Sequence, residues 1–141
     1  MNVLIDVVTI FPEMFPGILG TSILKRAQAS GRVRIQVHDL RDYTHDKRRT
    51  VDDRPYGGGP GMVMKVEPIF EAVEAIKRRT CPAHNGSTRA VCQTILMSPQ
   101  GEQCSNRLAQ ELATVEHLLM ICGHYEGVDE RVIEQAITDE I

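Results

Sequence analysis

At 141 residues and 42% hydrophobic content, the sequence has the size and composition of one ordinary globular domain, which excludes a disordered chain. Its 19 acidic residues outnumber 16 basic ones, and a formal charge of −3 excludes a broadly basic, nucleic-acid-coating surface while leaving room for a local patch. No apolar run approaches the roughly 20 residues of a membrane span, and Asp6 breaks the N-terminal apolar run that a signal peptide would need, so the chain is expected in the cytoplasm with no membrane partner.

Residues 3–10 (VLIDVVTI) are β-branched and apolar, the pattern of a strand buried on both faces. Phe15, Ile18, Leu19 and Ile23 then recur at helical spacing, and the pattern predicts a helix over 12–29, stopped by Ser30 and Gly31. Residues 33–38 (VRIQVH) alternate, which predicts a strand with one wet face or a place near an edge. A polar stretch over 41–61 shows no periodicity beyond one short turn. It is long for a connection inside a compact domain, and such loops are commonly functional. It holds a weak basic patch at Lys47, Arg48 and Arg49, diluted by aspartates and read as a solvated loop, and it ends in RPYGGGPGM.

A second helix is predicted over 67–79, and CPAHNGST at 81–88 is turn chemistry. Two nearly continuous apolar runs follow, 91–97 and 117–122. Each leads into a glycine-containing turn and an amphipathic helix, carrying Leu108, Leu112 and Val115 in the first case and Val132, Ile133, Ala136 and Ile137 in the second. Strand and helix in alternation predict an α/β domain with a mostly parallel sheet and flanking helices, and the last helix pattern runs out at Ile141.

The four cysteines form no CxxC pair and the five histidines stand at no ligand spacing, so the sequence predicts no zinc site. Cys92 and Cys122 read as small buried hydrophobes. The glycine run lacks the Gly-Lys-Ser/Thr of a P-loop and fails G-x-G-x-x-G, which disfavours nucleotide phosphate cradling. In open parallel sheets ligands bind outside the carboxyl ends of the strands, where Ser98-Pro99-Gln100-Gly101 and Gly123-His124-Tyr125-Glu126-Gly127 are predicted to lie. Either turn is also what any strand-to-helix connection needs. Asp129 reads as a cap for the last helix and Arg131 as a partner for a neighbouring acid. Glu126 sits between two glycines and off any helix face, free to meet a ligand such as the edge of a guanine.

Taken together, IFPEMF (10–15), RPYGGGPGMVMK (54–65), SPQG (98–101) and CGHYEGVDERV (122–132) resemble, in order, the bacterial tRNA (guanine-N1)-methyltransferases. These enzymes modify the guanine 3′ of the anticodon. The resemblance implies an α/β domain tied in a trefoil knot, S-adenosylmethionine bound bent in that knot, and an obligate homodimer that acts on tRNA. It implies that Leu96, Met97, Ser98, Pro99, Gln100 and Gly101 contribute to the cofactor pocket, with Gly123, Tyr125, Glu126 and Gly127. Gly123 would admit the cofactor close to the backbone, Tyr125 would shape the pocket, and Glu126 would be the carboxylate facing cofactor and guanine. Tyr56, Gly57, Gly58, Gly59, Pro60 and Gly61 would form a loop near the methionine end of the cofactor and the RNA. His124 stands where many relatives carry arginine. Magnesium is implied as well, with no ligand set in this sequence to locate it.

The family's knot is completed by a further glycine-containing segment after the helix at 129–137. A linker and a small helical domain follow, and that domain supplies the aspartate taken as general base. None of these lies within the 141 residues, so the chain is expected to be the N-terminal, cofactor-binding domain, inactive alone, with a knot incomplete as written. Guanine N1 is a poor nucleophile until its proton leaves, which is why a base is needed. Two other readings are a knotted methyltransferase for another RNA, and a non-catalytic module that binds cofactor or dimerises.

Overall fold

The computed structural model describes residues 2–81 and 92–141. Residues 82–88 of the expected turn, and residue 91 at the start of the expected strand, lie outside the described residues.

Strand β1 (Val3–Thr9) pairs in parallel with β2 (Val33–Asp39), Val3 opposite Val33 and Thr9 opposite Asp39. Between them the expected helix over 12–29 is broken into a 3-10 turn (Pro12–Met14), α1 (Pro16–Leu19) and α2 (Ser22–Ala29). The break has a local cause. Thr21 is extended, and a Cβ on Gly20 would come within 2.9 Å of the Pro16 carbonyl oxygen. None of these short helices buries a residue, and Met14, Ile18 and Ile23 are exposed, so the apolar periodicity marks a face uncovered in the single chain.

The polar stretch is more ordered than its sequence suggests. It opens with a 3-10 turn (Leu40–Tyr43), capped by the Asp39 carboxylate accepting from the Arg41 N–H, with Leu40 fully buried. It closes in a two-stranded ribbon, β3 (Asp52–Asp53) antiparallel to β4 (Val63–Met64), so the glycine run is the tip of a hairpin. Val51 and Met64, both buried, root that hairpin in the core. Arg49 pairs with Asp42, and the basic patch stays a solvated loop. Helix α3 (Val66–Thr80) then buries Val66, Pro68, Ile69, Ala72, Val73 and Ile76.

The remaining strands are β5 (Cys92–Met97), β6 (His117–Cys122) and β7 (Asp139–Glu140), and the five-stranded parallel sheet runs β2-β1-β6-β5-β7. The alternating strand is at an edge, as its pattern implied. Helix α4 (Asn106–Leu112) ends before Val115, which is buried instead against the sheet with Ile95 and Leu118. Helix α5 (Glu130–Ala136) is shorter than its apolar pattern. Ile137 is already extended, and the chain enters β7 where the sequence pattern suggested more helix. The larger core, with Leu96, Leu119 and Ile121 of the sheet, Ile69 and Ile76 of α3 and Val132 of α5, fills one face. The smaller one fills the other. Burial pushes the Cys122 thiol up, in keeping with a packing role. No helix among the described residues is long and apolar enough to cross a membrane.

Helix α4 starts with the Ser105 hydroxyl accepting from the Leu108 N–H at 3.2 Å. Ser105→Ala should cost about 1 kcal/mol, read as a lower urea midpoint at unchanged slope; an unshifted midpoint would mean that water satisfies this N–H equally well.

Among the described residues four polar side chains are buried, Asp6, Thr9, Thr94 and His117. Asp6, on β1, is fully buried and meets His38 Nε2 at 2.5 Å and His117 Nε2 at 2.7 Å. Burial alone would raise its carboxyl, but the hydrogen bonds from the two imidazoles hold it well below the usual carboxylate range.

Candidate functional site

Strands β5 and β6 are neighbours and end together, Met97 opposite Cys122. From β5 the chain goes by α4 to β6, whereas from β6 it goes by α5 past β5 to β7. The two connections leave adjacent carboxyl ends toward opposite sides, the arrangement that opens a crevice in parallel sheets. A cleft of about 320 Å3 lies there. Its walls are the turn from Leu96 to Gln100 and the turn from Gly123 to Val128, with Glu130 and Ile133 of α5 and Glu140 of β7. Two turns more than twenty residues apart in the chain, picked out separately in the sequence, thus share one cavity.

Gly101 does not line the cleft. A Cβ there would meet the backbone of Glu140 and Ile141 at 2.5 Å, and the neighbouring amides bond the same segment: Ser98 N–H to the Ile141 carbonyl at 2.9 Å and Glu102 N–H to the Glu140 carbonyl at 2.9 Å. Its lack of a side chain seats the chain's last residues against the first turn. Gly123 is different. A Cβ there would meet only Met97 O at 3.5 Å and Val128 Cγ2 at 3.8 Å, ordinary contacts, so nothing among the described residues requires glycine at this wall position. Tyr125 adopts a positive φ of 59°, an uncommon conformation for a non-glycine residue, and is partly exposed at the cleft wall.

The glycine run reaches the second turn directly. The Glu126 N–H donates to the Met62 carbonyl at 3.0 Å, and the Glu126 carboxylate accepts from the Met62 N–H at 2.6 Å. Met64 N–H donates to the Gly127 carbonyl at 2.9 Å, extending the contact as a bridge between Met64 and Val128. Gly61, at φ 87°, lies so close that a Cβ would fall inside contact distance of the Glu126 carboxyl group. Glu126 is therefore a latch. It ties the hairpin tip to the cleft wall while its own side chain stays exposed.

The rest of the run stands outside the cleft. Gly57, Gly58, Gly59 and Pro60 are exposed, and Tyr56 is 83% exposed with the Arg131 guanidinium 5.8 Å from its ring centroid. Arg131 is itself held by the Asp129 carboxylate through two hydrogen bonds of 3.0 and 2.9 Å, which lower the Asp129 pKa. Asp129 also accepts from the Arg131 N–H, the cap expected of it. Arg54, Lys65 and Arg131 line a smaller hollow beside the hairpin with Tyr56, where they are interleaved with Asp53, Glu67 and Asp129.

Sequence reasoning missed Val128, Glu130, Ile133 and Glu140. Glu130 and Ile133 are three apart, on the turn of α5 that faces the cleft, a spacing that gives the signal once the helix start is known. Glu140 had none, because its strand was read as helix. Its Oε1 is buried and has no hydrogen-bond partner among the described residues.

The family model "tRNA (Guanine-1)-methyltransferase TrmD" matches residues 3–141. A tRNA (guanine-N(1)-)-methyltransferase of Dictyoglomus turgidum is 54% identical over 137 residues, 97% of this chain and 51% of the relative. That of Bacillus subtilis is 50% identical, over 97% of this chain and 53% of its own length. Among solved structures, the tRNA (m1G37) methyltransferase from Aquifex aeolicus superposes with a TM-score of 0.86 at 35% identity, covering 100% of this chain and 59% of that one. The chain spans about half the length of the curated relatives it matches.

Proposed function

The chain belongs to the tRNA (guanine-1)-methyltransferase family, and we propose that it is the part of such an enzyme that holds S-adenosylmethionine and presents it to N1 of the guanine 3′ of a tRNA anticodon. The observation that carries this reading is the convergence of the turns 96–100 and 123–127 on one cleft with three carboxylates, Glu126, Glu130 and Glu140, in its wall. The cofactor carries a sulfonium and an ammonium group, and a carboxylate wall suits a cation. The Oε1 of Glu140, without a partner among the described residues, is an acceptor that a ligand's donor would satisfy. Leu96, Val128 and Ile133 give the apolar surface that an adenosine needs. At Gly123 the demand for glycine comes from the occupant, since the chain's own atoms leave room for a Cβ.

When bound, the cofactor supplies an electrophilic methyl group. What these residues add is orientation. Glu126 ties the hairpin loop to the cleft wall by holding Met62, and a loop so anchored orders the approach of a nucleophile. As the family resemblance implies, we assign the proton of guanine N1 to a base in the half of the relatives' length that this chain does not span. RNA would arrive on the hairpin side, where exposed Tyr56 under Arg131 offers a stacking platform and Arg54 and Lys65 offer phosphate contacts. The exposed apolar face of Met14, Ile18 and Ile23 would be covered by a second copy of the chain. A cytoplasmic place follows from the substrate.

Calorimetry with S-adenosylmethionine is expected to give one binding event per chain or per dimer for the 141 residues, with no methyl transfer. Transfer by the full-length protein should favour a tRNA transcript with guanine 3′ of the anticodon over one with adenine there. Equal labelling of the two transcripts would sink the substrate assignment, and absence of heat would sink the cleft as a self-sufficient site.

A further inference from the structure

At the opposite end of the sheet from the cleft, three soft donors converge. Cys92 opens β5, His117 opens β6 directly opposite it, and Cys81 caps the C-terminus of α3. Cys81 Sγ lies 3.1 Å and Cys92 Sγ 3.2 Å from His117 Nδ1, and the three atoms all fall within 4.8 Å of one another. From His117 to the cleft end of β6 is about 16 Å by the rise of a strand, so these residues take no part in the site described above.

Among the described residues, ordinary hydrogen bonding leaves this cluster poorly satisfied. The other imidazole nitrogen, Nε2, is turned to the buried Asp6 carboxylate at 2.7 Å. That contact places the N–H on Nε2 and leaves Nδ1 with a single lone pair. Two thiols point at that lone pair, and one S–H can use it. Thr80, 3.2 Å away, has its hydroxyl directed to the Ile76 carbonyl at 2.8 Å. A cation would engage all three donors at once.

We propose that Cys81, Cys92 and His117 form a binding site for a thiophilic divalent cation of the zinc class. Two thiolates and one imidazole are the donor set that zinc takes in proteins, and tetrahedral bond lengths place sulfur about 3.6 Å from nitrogen, a few tenths of an ångström beyond the separations here. A carboxylate on the far side of the metal-binding histidine is the usual support for such a ligand, and Asp6 provides it, itself steadied by His38. The C-terminal end of α3, whose last carbonyls point toward Cys81, adds a favourable field for positive charge. The fourth position is left to water or another donor. The sequence shows none of this because the three residues come from three elements, without CxxC or His-x-His spacing. The role is structural, clamping the end of α3 to the amino ends of β5 and β6.

The test is cobalt titration of the reduced chain under anaerobic conditions. One equivalent per chain should produce a thiolate-to-cobalt charge-transfer band in the near ultraviolet with the visible bands of tetrahedral cobalt, and zinc should bleach both. Cys81→Ser and Cys92→Ser should each abolish the charge-transfer band, while Cys104→Ser, at an exposed position, should keep it. Absence of the band in the reduced wild-type chain overturns the site, whether or not the two thiols can be oxidised to a disulfide. So does a full band in Cys92→Ser. The wild-type titration decides without any variant, should one fail to fold.

Discussion

Gly61→Ala in the full-length protein should leave the fold standing and reduce methyl transfer about 100-fold, the scale expected when a positioning group moves by an ångström. The cause is local. At φ 87° an alanine carries left-handed strain of about 1–2 kcal/mol, a tolerable loss for a domain. Its Cβ, however, falls on the Glu126 carboxyl group, the free end of a flexible side chain. The clash is relieved most cheaply if Glu126 swings away, and its hydrogen bond to the Met62 N–H goes with it. Neighbouring Gly59 supplies the control. It has no positive φ, and a Cβ there meets nothing within 4 Å, so Gly59→Ala should transfer methyl groups at close to the wild-type rate. Steady-state labelling of tRNA by the three proteins, with circular dichroism melts alongside, distinguishes the cases. Equal damage from both alanines would show that the loop needs flexibility throughout and that the latch is not what Gly61 serves.

Residues that sit within one element were legible before the fold was. The runs at 92–97 and 117–122 are apolar on nearly every position because they lie between two cores, and strands covered on both faces leave that mark. Alternation in Val33–Asp39 reported an edge strand for the same reason. The two cleft turns followed, since a crevice outside the carboxyl ends of parallel strands is a rule of topology. What failed to show was pairing across distance. The latch joins Met62 to Glu126, sixty-four residues apart, and nothing local in either motif announces the other. Likewise β7 exists because β5 is there to pair with it, whereas Ile137 alone continues a helical pattern. The helix over 12–29 misled in the other direction. Its periodicity is real, but it describes a surface exposed in the single chain, and Gly20 and Thr21 interrupt the backbone without disturbing the spacing of the side chains.

Glu126 combines two features that a substitution can separate. As a latch it needs only an acceptor oxygen for the Met62 N–H, which glutamine also has. As part of a carboxylate wall it needs its charge. Glu126→Gln should therefore keep the hairpin tip in place and hold cofactor affinity within a few-fold, because Glu130 and Glu140 remain in the cleft. Its effect should fall on turnover, by about 100-fold, if the charge matters chiefly when methyl and guanine are being aligned. Glu126→Ala removes acceptor and charge together and should weaken cofactor binding as well as turnover. Measured as kcat and KM for tRNA beside a cofactor Kd, the pair of variants assigns the residue. Loss of cofactor binding in Glu126→Gln equal to that in Glu126→Ala would place the carboxylate on the cofactor's cationic groups. Wild-type turnover in Glu126→Gln would reduce the residue to a peg that holds the glycine loop, with Gly61 conserving the space for it.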